Sequence, residues 1–248
     1  MSSAGGRIEL VGRTDRGRLR ERNEDNLAFD ETIGVAVVAD GMGGLDHGHL
    51  ASRTAAETVL AHLRAAGPGR SAADLEAALG AANDRVREAA RAAAAVMGTT
   101  AVVLDVAADA CRIAHVGDSR AYRLHRGELT LLTRDHSMVQ DLVERGLLRP
   151  EAARHSPSRN VITRAIGLDV AFEPEIRAIE LEAGDLLLLC SDGLWDMLED
   201  AEIAERLRRS GANRRGLERC ADALVNAANA AGGFDNITVV LARVRAAG

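Results

Sequence analysis

Val35-Ala36-Val37-Val38-Ala39-Asp40-Gly41-Met42-Gly43-Gly44 is the stretch from which the architecture can be read. Five apolar residues form a run too short for a helix and without polar alternation, which predicts a strand buried on both faces. The run stops at a carboxylate. Three of the next four residues are glycine, marking a sharp turn where backbone must approach something closely. A carboxylate at the mouth of a buried strand is costly to desolvate unless a cation compensates it. The same signature recurs. Asp118 follows the run from Cys111 to Val116 within Gly117-Asp118-Ser119, and Asp192 follows Leu186 to Cys190 within Ser191-Asp192-Gly193. Asp235 precedes the run from Ile237 to Val244.

Outward from this point, apolar patterning predicts strands over 8–13, 26–29, 35–39, 99–106, 111–116, 121–125, 128–132, 172–181, 185–190 and 237–244. Helical spacing predicts helices over 49–65, 71–96, 137–145, 201–209 and 214–230, with Ser71 as an N-cap. Strands come in runs and helices in pairs between the runs. That order argues for an α+β fold: a central antiparallel β-sandwich of two sheets flanked by helix pairs on both faces, α-β-β-α. Residues 135–167 are polar, hold two of the four prolines and lack a continuous strand pattern, as expected of a flap over a cleft. No internal repeat or linker divides the chain, so 1–248 reads as one catalytic-sized domain.

Composition excludes several classes. The net charge is −6 and the pI about 5.7, so no basic excess draws the chain to nucleic acid or to an anionic membrane. No apolar run approaches the ~20 residues of a spanning helix, and residues 1–7 lack the apolar core of a signal peptide. The expected location is the cytoplasm. Cys111, Cys190 and Cys220 are widely spaced and show no CxxC pattern, which points to buried free thiols. All 31 basic residues are arginine, so a lysine nucleophile or Schiff base is excluded.

Two readings of the aspartates stand side by side. Asp-Gly is ordinary turn chemistry, and each carboxylate alone fits a turn. Four at strand ends, with Asn23-Glu24-Asp25 beside them, also fit convergence on one point. Clustered carboxylates repel unless divalent cations sit among them. An oxygen-only donor set suits Mg²⁺ or Mn²⁺ rather than zinc.

The ordered motifs resemble the metal-dependent serine/threonine phosphatases of protein phosphatase type 2C, bacterial branch. The resemblance runs through Arg20-Glu21-Arg22-Asn23-Glu24-Asp25, Val38 to Gly44, Gly98-Thr99-Thr100 and Val116 to Tyr122. It continues in Thr133 to Ser137, Asn160 to Arg164, Ser191 to Trp195 and Asp235-Asn236-Ile237-Thr238. It implies hydrolysis of phosphoserine and phosphothreonine on proteins by a metal-bridging hydroxide, with no phosphoenzyme. By position, Asp40 would bridge two metals and the Gly41 carbonyl would ligate one. Asp192 and Asp235 would hold the first, and Glu24 would orient water on the second. Asp25 would hydrogen-bond metal-bound water, and Asp118 with Asp192 would hold a weaker third ion. Arg20 would bind the substrate phosphate. The implied partners are phosphorylated substrates of a serine/threonine kinase and the kinase itself, met by a monomer.

The chain departs from that pattern in two places. Met42 stands where many eukaryotic relatives carry a histidine proposed as general acid, and methionine cannot donate a proton. Leu45-Asp46-His47-Gly48-His49 replaces the usual histidine, glycine and glutamate. His47 and His49 invite a metal reading, yet lack a third nitrogen or sulfur ligand nearby. His136 and His155 lie in or beside the flap, and Trp195 reads as core. Two other functions fit the same residues: hydrolysis of a small phosphoester, and a non-catalytic regulatory module, which would be expected to have lost its acidic residues.

Overall fold

The structure, a computed structural model, describes residues 8–43, 47–107, 110–153, 156–168 and 172–245. In chain order, β1 (Ile8–Asp15) leads to the hairpin of β2 (Asn26–Asp30) and β3 (Val35–Ala39). The two-residue β4 (Gly41–Met42) precedes α1 (His47–Ala66) and α2 (Ala72–Ala93). A run of strands follows: β5 (Gly98–Thr99), β6 (Ala101–Val106), β7 (Cys111–Val116), β8 (Arg120–His125) and β9 (Glu128–Leu131). The short helices α3 (Met138–Glu144) and α4 (Pro150–Ala153) lie in the flap segment. Then come β10 (Glu175–Ile179), β11 (Leu186–Cys190), α5 (Asp192–Trp195), α6 (Asp200–Arg208), α7 (Arg214–Ala230) and β12 (Ile237–Val244).

Two five-stranded antiparallel sheets form the centre, ordered β1-β12-β11-β8-β9 and β10-β7-β6-β3-β2, with β4-β5 as a small third pair. Side chains of successive strand residues point to opposite faces, and here each face meets a different layer. Val35, Val37 and Ala39 pack with Val59, Leu63, Leu75 and Leu79 of the first helix pair. Their neighbours Ala36 and Val38 pack with Leu187, Leu189 and Val240 between the sheets. Leu186, Leu188 and Cys190 face the opposite way, onto Ile203, Leu207, Leu217 and Leu224 of α6 and α7. That sequence of cores is the α-β-β-α sandwich the patterning predicts. All three cysteines are buried and free. None of the described helices is long and apolar enough to cross a membrane.

Several boundaries differ from the sequence reading for identifiable reasons. The strand expected over 99–106 is interrupted at Thr100, whose N–H turns away to donate to Asp40 O at 2.9 Å. The helix expected to reach residue 96 stops at Ala93, because Ala94 takes a left-handed conformation with φ of 48°. Its start is as read: Ser71 and Asp74 exchange side-chain and backbone hydrogen bonds in a capping box. The strand expected over 172–181 keeps only Glu175–Ile179, the stretch for which β7 supplies partners.

Away from the strand mouths, buried carboxylates are neutralised by the protein itself. Asp105, fully buried in β6, accepts from Arg70 Nε at 2.7 Å. Arg70 in turn donates to Gly67 O and Ile33 O. Asp185 is held by Arg123 at 2.6 Å and by His125 Nδ1 at 2.7 Å.

Candidate active site

Four strand ends open at one edge of the sandwich, and the acidic residues meet there. Arg20, Glu24, Asp40, Gly41, Asp118, Asp192 and Asp235 line a single cleft of about 300 Å³, together with Met42, Gly43, Thr100, Asn160, Ile162 and Asn236. Asp25 lies beneath it, 3% exposed.

Each carboxylate is fixed by the element that ends or begins at it. The Asp40 carbonyl accepts from Thr100 N (2.9 Å) and Thr99 Oγ1 (2.8 Å), and its N–H donates to Thr100 Oγ1 (3.0 Å). Thr100 Oγ1 also pairs with Ser119 Oγ at 2.7 Å, joining the Asp40 turn to the Asp118 turn. Trp195 Nε1 donates to Asp118 O at 3.2 Å, and the Arg120 guanidinium covers its ring at 3.7 Å. Trp195 is the core residue it was expected to be, and it also positions Asp118. Asp192 opens α5 directly after β11. Asp235 Oδ1 accepts from Asn236 N and Oδ2 from Arg20 Nη2 at 2.6 Å.

Glycine makes the space for Glu24. A Cβ at Gly41 would lie 2.1 Å from Gly48 O and 2.5 Å from Glu24 O, and one at Gly48 would lie 2.6 Å from Glu24 Oε1. The backbone approaches at Gly41 exclude any side chain there, and a side chain at Gly48 would push the Glu24 carboxylate aside.

Burial raises Asp105 as well, but there Arg70 and Arg112 oppose it, whereas in the cluster the neighbouring charges are mostly carboxylates. Burial, followed by the charges of Asp25, Asp192, Asp118 and Asp235, pushes the Asp40 carboxyl well above its ordinary value. Burial, then Asp118, Asp235 and Asp25, does the same to Asp192. Burial and then Asp135 raise Asp118 to about 7. Burial raises Asp25 to about 6 against the opposing hydrogen bond from Ser191. The Ser191 hydroxyl donates to Asp25 Oδ2 at 2.7 Å and accepts from Thr238 N at 3.0 Å. Asp25 Oδ1 and Asp192 Oδ1 are buried and meet no donor.

This donor set fits hard divalent cations. It is made of oxygen, it repels itself, and it leaves two buried carboxylate oxygens unpartnered. Arg20, with its head on Asp235, is the arginine that lines the cleft.

Sequence reasoning missed Asn236 as a structural staple. Its side chain accepts from Glu24 N and donates to Arg16 O and Arg22 O, each at 2.8 Å. Only its position beside Asp235 hinted at this. Asn160 and Ile162, within a motif already singled out, turn out to line the cleft.

The histidines behave otherwise than as ligands of this cleft. His49 Nδ1 lies 3.2 Å from Asn26 Nδ2, and neither His47 nor His49 lines the cleft. Leu45, Asp46 and His155 fall outside the described residues. His136 is buried and stacks on His115 at 4.6 Å, with Glu175 Oε1 3.1 Å from its Nε2. His115, His136 and Glu175 lie close enough to hold an ion. However, Gly117 N donates to His136 Nδ1, His115 Nε2 lies on Arg134 O, and Arg164 Nη1 sits 3.1 Å from His136 Nε2 and 3.2 Å from Glu175. A guanidinium thus already lies against two of the three.

Residues 16–229 match the family model described as protein phosphatase 2C. The chain is 37% identical over 238 residues to the serine/threonine phosphatase stp of Listeria innocua, covering 92% of this chain and 93% of that protein. It is 38% identical over 241 residues to the serine/threonine protein phosphatase PstP of Mycobacterium tuberculosis, covering 96% of this chain and 45% of that longer protein. The crystal structure of the Mycobacterium tuberculosis phosphatase superposes with a TM-score of 0.87 at 37% identity, over 97% of this chain and 100% of that one. The PstP catalytic domain in complex with two manganese ions gives 0.86 at 36% identity, over 97% and 99%.

Proposed function

The chain belongs to the protein phosphatase 2C family and is a serine/threonine phosphatase, and from that premise we propose that this cleft hydrolyses phosphoserine and phosphothreonine esters of other proteins with bound divalent cations. One observation carries the reading: Asp25, Asp40, Asp118 and Asp192 are crowded at the mouths of buried strands, where burial first and nearby carboxylates second push each carboxyl above its ordinary value.

Asp40, Asp192, Asp235 and the Gly41 carbonyl would hold two Mn²⁺ or Mg²⁺ ions, with Glu24 facing the second and Asp118 joining Asp192 at a weaker third site. When bound, the ions would supply Lewis acidity, lowering the pKa of water and offsetting negative charge on the phosphoryl group. The protein's own residues do the rest. Arg20 stands at the mouth, half exposed, with its head on Asp235, from where its planar fork can turn to two phosphate oxygens at once. Asp25, steadied at Oδ2 by Ser191, keeps Oδ1 free to accept a hydrogen bond from water in the cleft floor. Met42 lines the cleft without a proton to give, so the leaving hydroxyl takes its proton from water. The backbone clamp of Thr99 and Thr100 on Asp40 holds the central carboxylate without using its side chain.

In this reading the partners are phosphoproteins made by a serine/threonine kinase, and the chain acts as a monomer in the cytoplasm. The test is turnover of a phosphothreonine peptide against a phosphodiester with Mn²⁺ present. The peptide is expected to be hydrolysed, and Asp40→Ala and Asp192→Ala to be inactive while folded. Preferential hydrolysis of the diester, or full activity in either variant, would reject the proposal.

A further inference from the structure

Bare apolar surface is concentrated around the cleft. Among the described residues seven large apolar side chains are exposed: Leu19, Phe234 and Val161 each stand next to a cleft-lining residue in the chain, and Met138 and Leu147 lie in the flap segment. Leu19, 67% exposed, precedes Arg20, and Phe234, 56% exposed, precedes Asp235. Arg20 and Asp235 are themselves paired in the cleft wall. The two loops are fastened together, since Arg18 N and Leu19 N both donate to Gly233 O, at 2.7 and 3.4 Å. The Phe234 ring is seated on Gly232, where an added Cβ would lie 2.8 Å from the ring. On the flap side, Val161 stands between the cleft-lining Asn160 and Ile162, and Met138 N donates to Val161 O at 2.8 Å.

Single exposed apolar residues need no explanation, but a group rimming a polar site marks an interaction surface. A phosphoresidue whose phosphate enters this cleft brings its chain neighbours to the rim, because consecutive Cα atoms are only about 3.8 Å apart. We propose that Leu19 and Phe234, with Val161 and Met138 on the flap side, form an apolar docking rim for phosphoprotein segments that carry a bulky apolar side chain beside the phosphoresidue. This rests on the reading that the cleft acts on phosphoproteins. Arg16 and Arg18 are exposed on the same loop as Leu19, so an acidic neighbour is the rival preference.

Three phosphothreonine peptides that differ only in flanking leucine, glycine or glutamate separate these outcomes. With Mn²⁺, the leucine peptide is expected to exceed the glycine peptide by about tenfold in kcat/KM, through KM. Leu19→Ser and Phe234→Ser should each bring that ratio toward one, and Phe234→Leu should preserve it. Equal turnover of leucine and glycine peptides, a preference for glutamate, or a ratio that survives the double Leu19→Ser, Phe234→Ser variant would overturn the docking rim alone. Failure of the wild type to hydrolyse any of the three would remove the phosphoprotein reading, and the rim with it.

Discussion

Two groups of buried carboxylates in this molecule are handled in opposite ways. Asp105 and Asp185 carry their counter-charges with them: Arg70 on the first, Arg123 and His125 on the second. Asp25, Asp40, Asp118 and Asp192 sit at the strand mouths among other carboxylates, and two of their buried oxygens meet no donor. Asp105 Oδ2 meets no hydrogen-bond donor either, but Arg112 Nη1 stands 3.8 Å from it. A protein able to bury an ion pair at Asp105 could have done the same at Asp40. The contrast teaches that a fold can close its own electrostatic accounts in one place and leave them open in another, and that the open place is where an outside cation belongs.

The contrast is broken most directly at its acidic end. Asp40→Asn and Asp192→Asn are each expected to lower kcat/KM on a phosphothreonine peptide by at least about a thousandfold. In chelator-treated protein the same variants should melt above the wild type, because each removes a like charge. A lower melting temperature would show that these carboxylates are held together by the protein rather than in spite of it.

The opposite end responds with stability. Asp105→Asn leaves the Arg70 guanidinium buried without its partner, at a cost of about 3–5 kcal/mol. That corresponds to a fall of roughly 10 °C in Tm for a domain of this size. The folded fraction should keep its turnover. Replacing both partners, Arg70→Met with Asp105→Leu, should recover most of the loss, as removing a whole buried pair commonly does. Differential scanning calorimetry and a specific-activity assay on the same samples decide this.

The strand-mouth carboxylates should also answer to pH in a way that Mn²⁺ alters. Burial and neighbouring carboxylates raise Asp25 to about 6 and Asp118 to about 7, above their unfolded values. The fold therefore binds protons more tightly than the unfolded chain at these positions, and that stabilisation is lost as pH rises through 6 to 7. Chelator-treated protein should unfold at lower urea at pH 8 than at pH 5, and saturating Mn²⁺ should flatten the slope by binding the ionised site. An identical slope with and without Mn²⁺ would place the titrating groups elsewhere. The smallest effect is expected at Ser191→Ala, which removes the donor on Asp25 Oδ2. Loss of such a supporting hydrogen bond should weaken Mn²⁺ by about tenfold, read by calorimetric titration.

How much of this was legible beforehand follows from the range of the forces involved. Val35–Ala39, Cys111–Val116, Arg214–Ala230 and Ile237–Val244 have the bounds that their apolar patterns predict, because local composition and burial agree there. The four-residue helix Asp192–Trp195 was invisible, since one turn shows no period. The break at Thr100 was also invisible: its sequence continues a strand, and only the distant Asp40 carbonyl diverts it. Motif order picked out Arg20, Glu24, Asp40, Gly41, Asp118, Asp192 and Asp235, all of which reach one cleft. It did not reveal that Arg20 rests on Asp235, or that Asn236 ties down the loop bearing Glu24, since both contacts join opposite ends of the sequence.

β1 pairs along its whole length with β12, Ile8 opposite Val244 and Asp15 opposite Ile237, and β12 is also the strand that joins β1 to β11. While the ribosome is still synthesising the first two hundred residues, β1 has no neighbour in its sheet, and the Glu24 loop has no Asn236 to hold it. Assembly of the cleft therefore waits on β12 and the Asp235-Asn236 turn that leads into it.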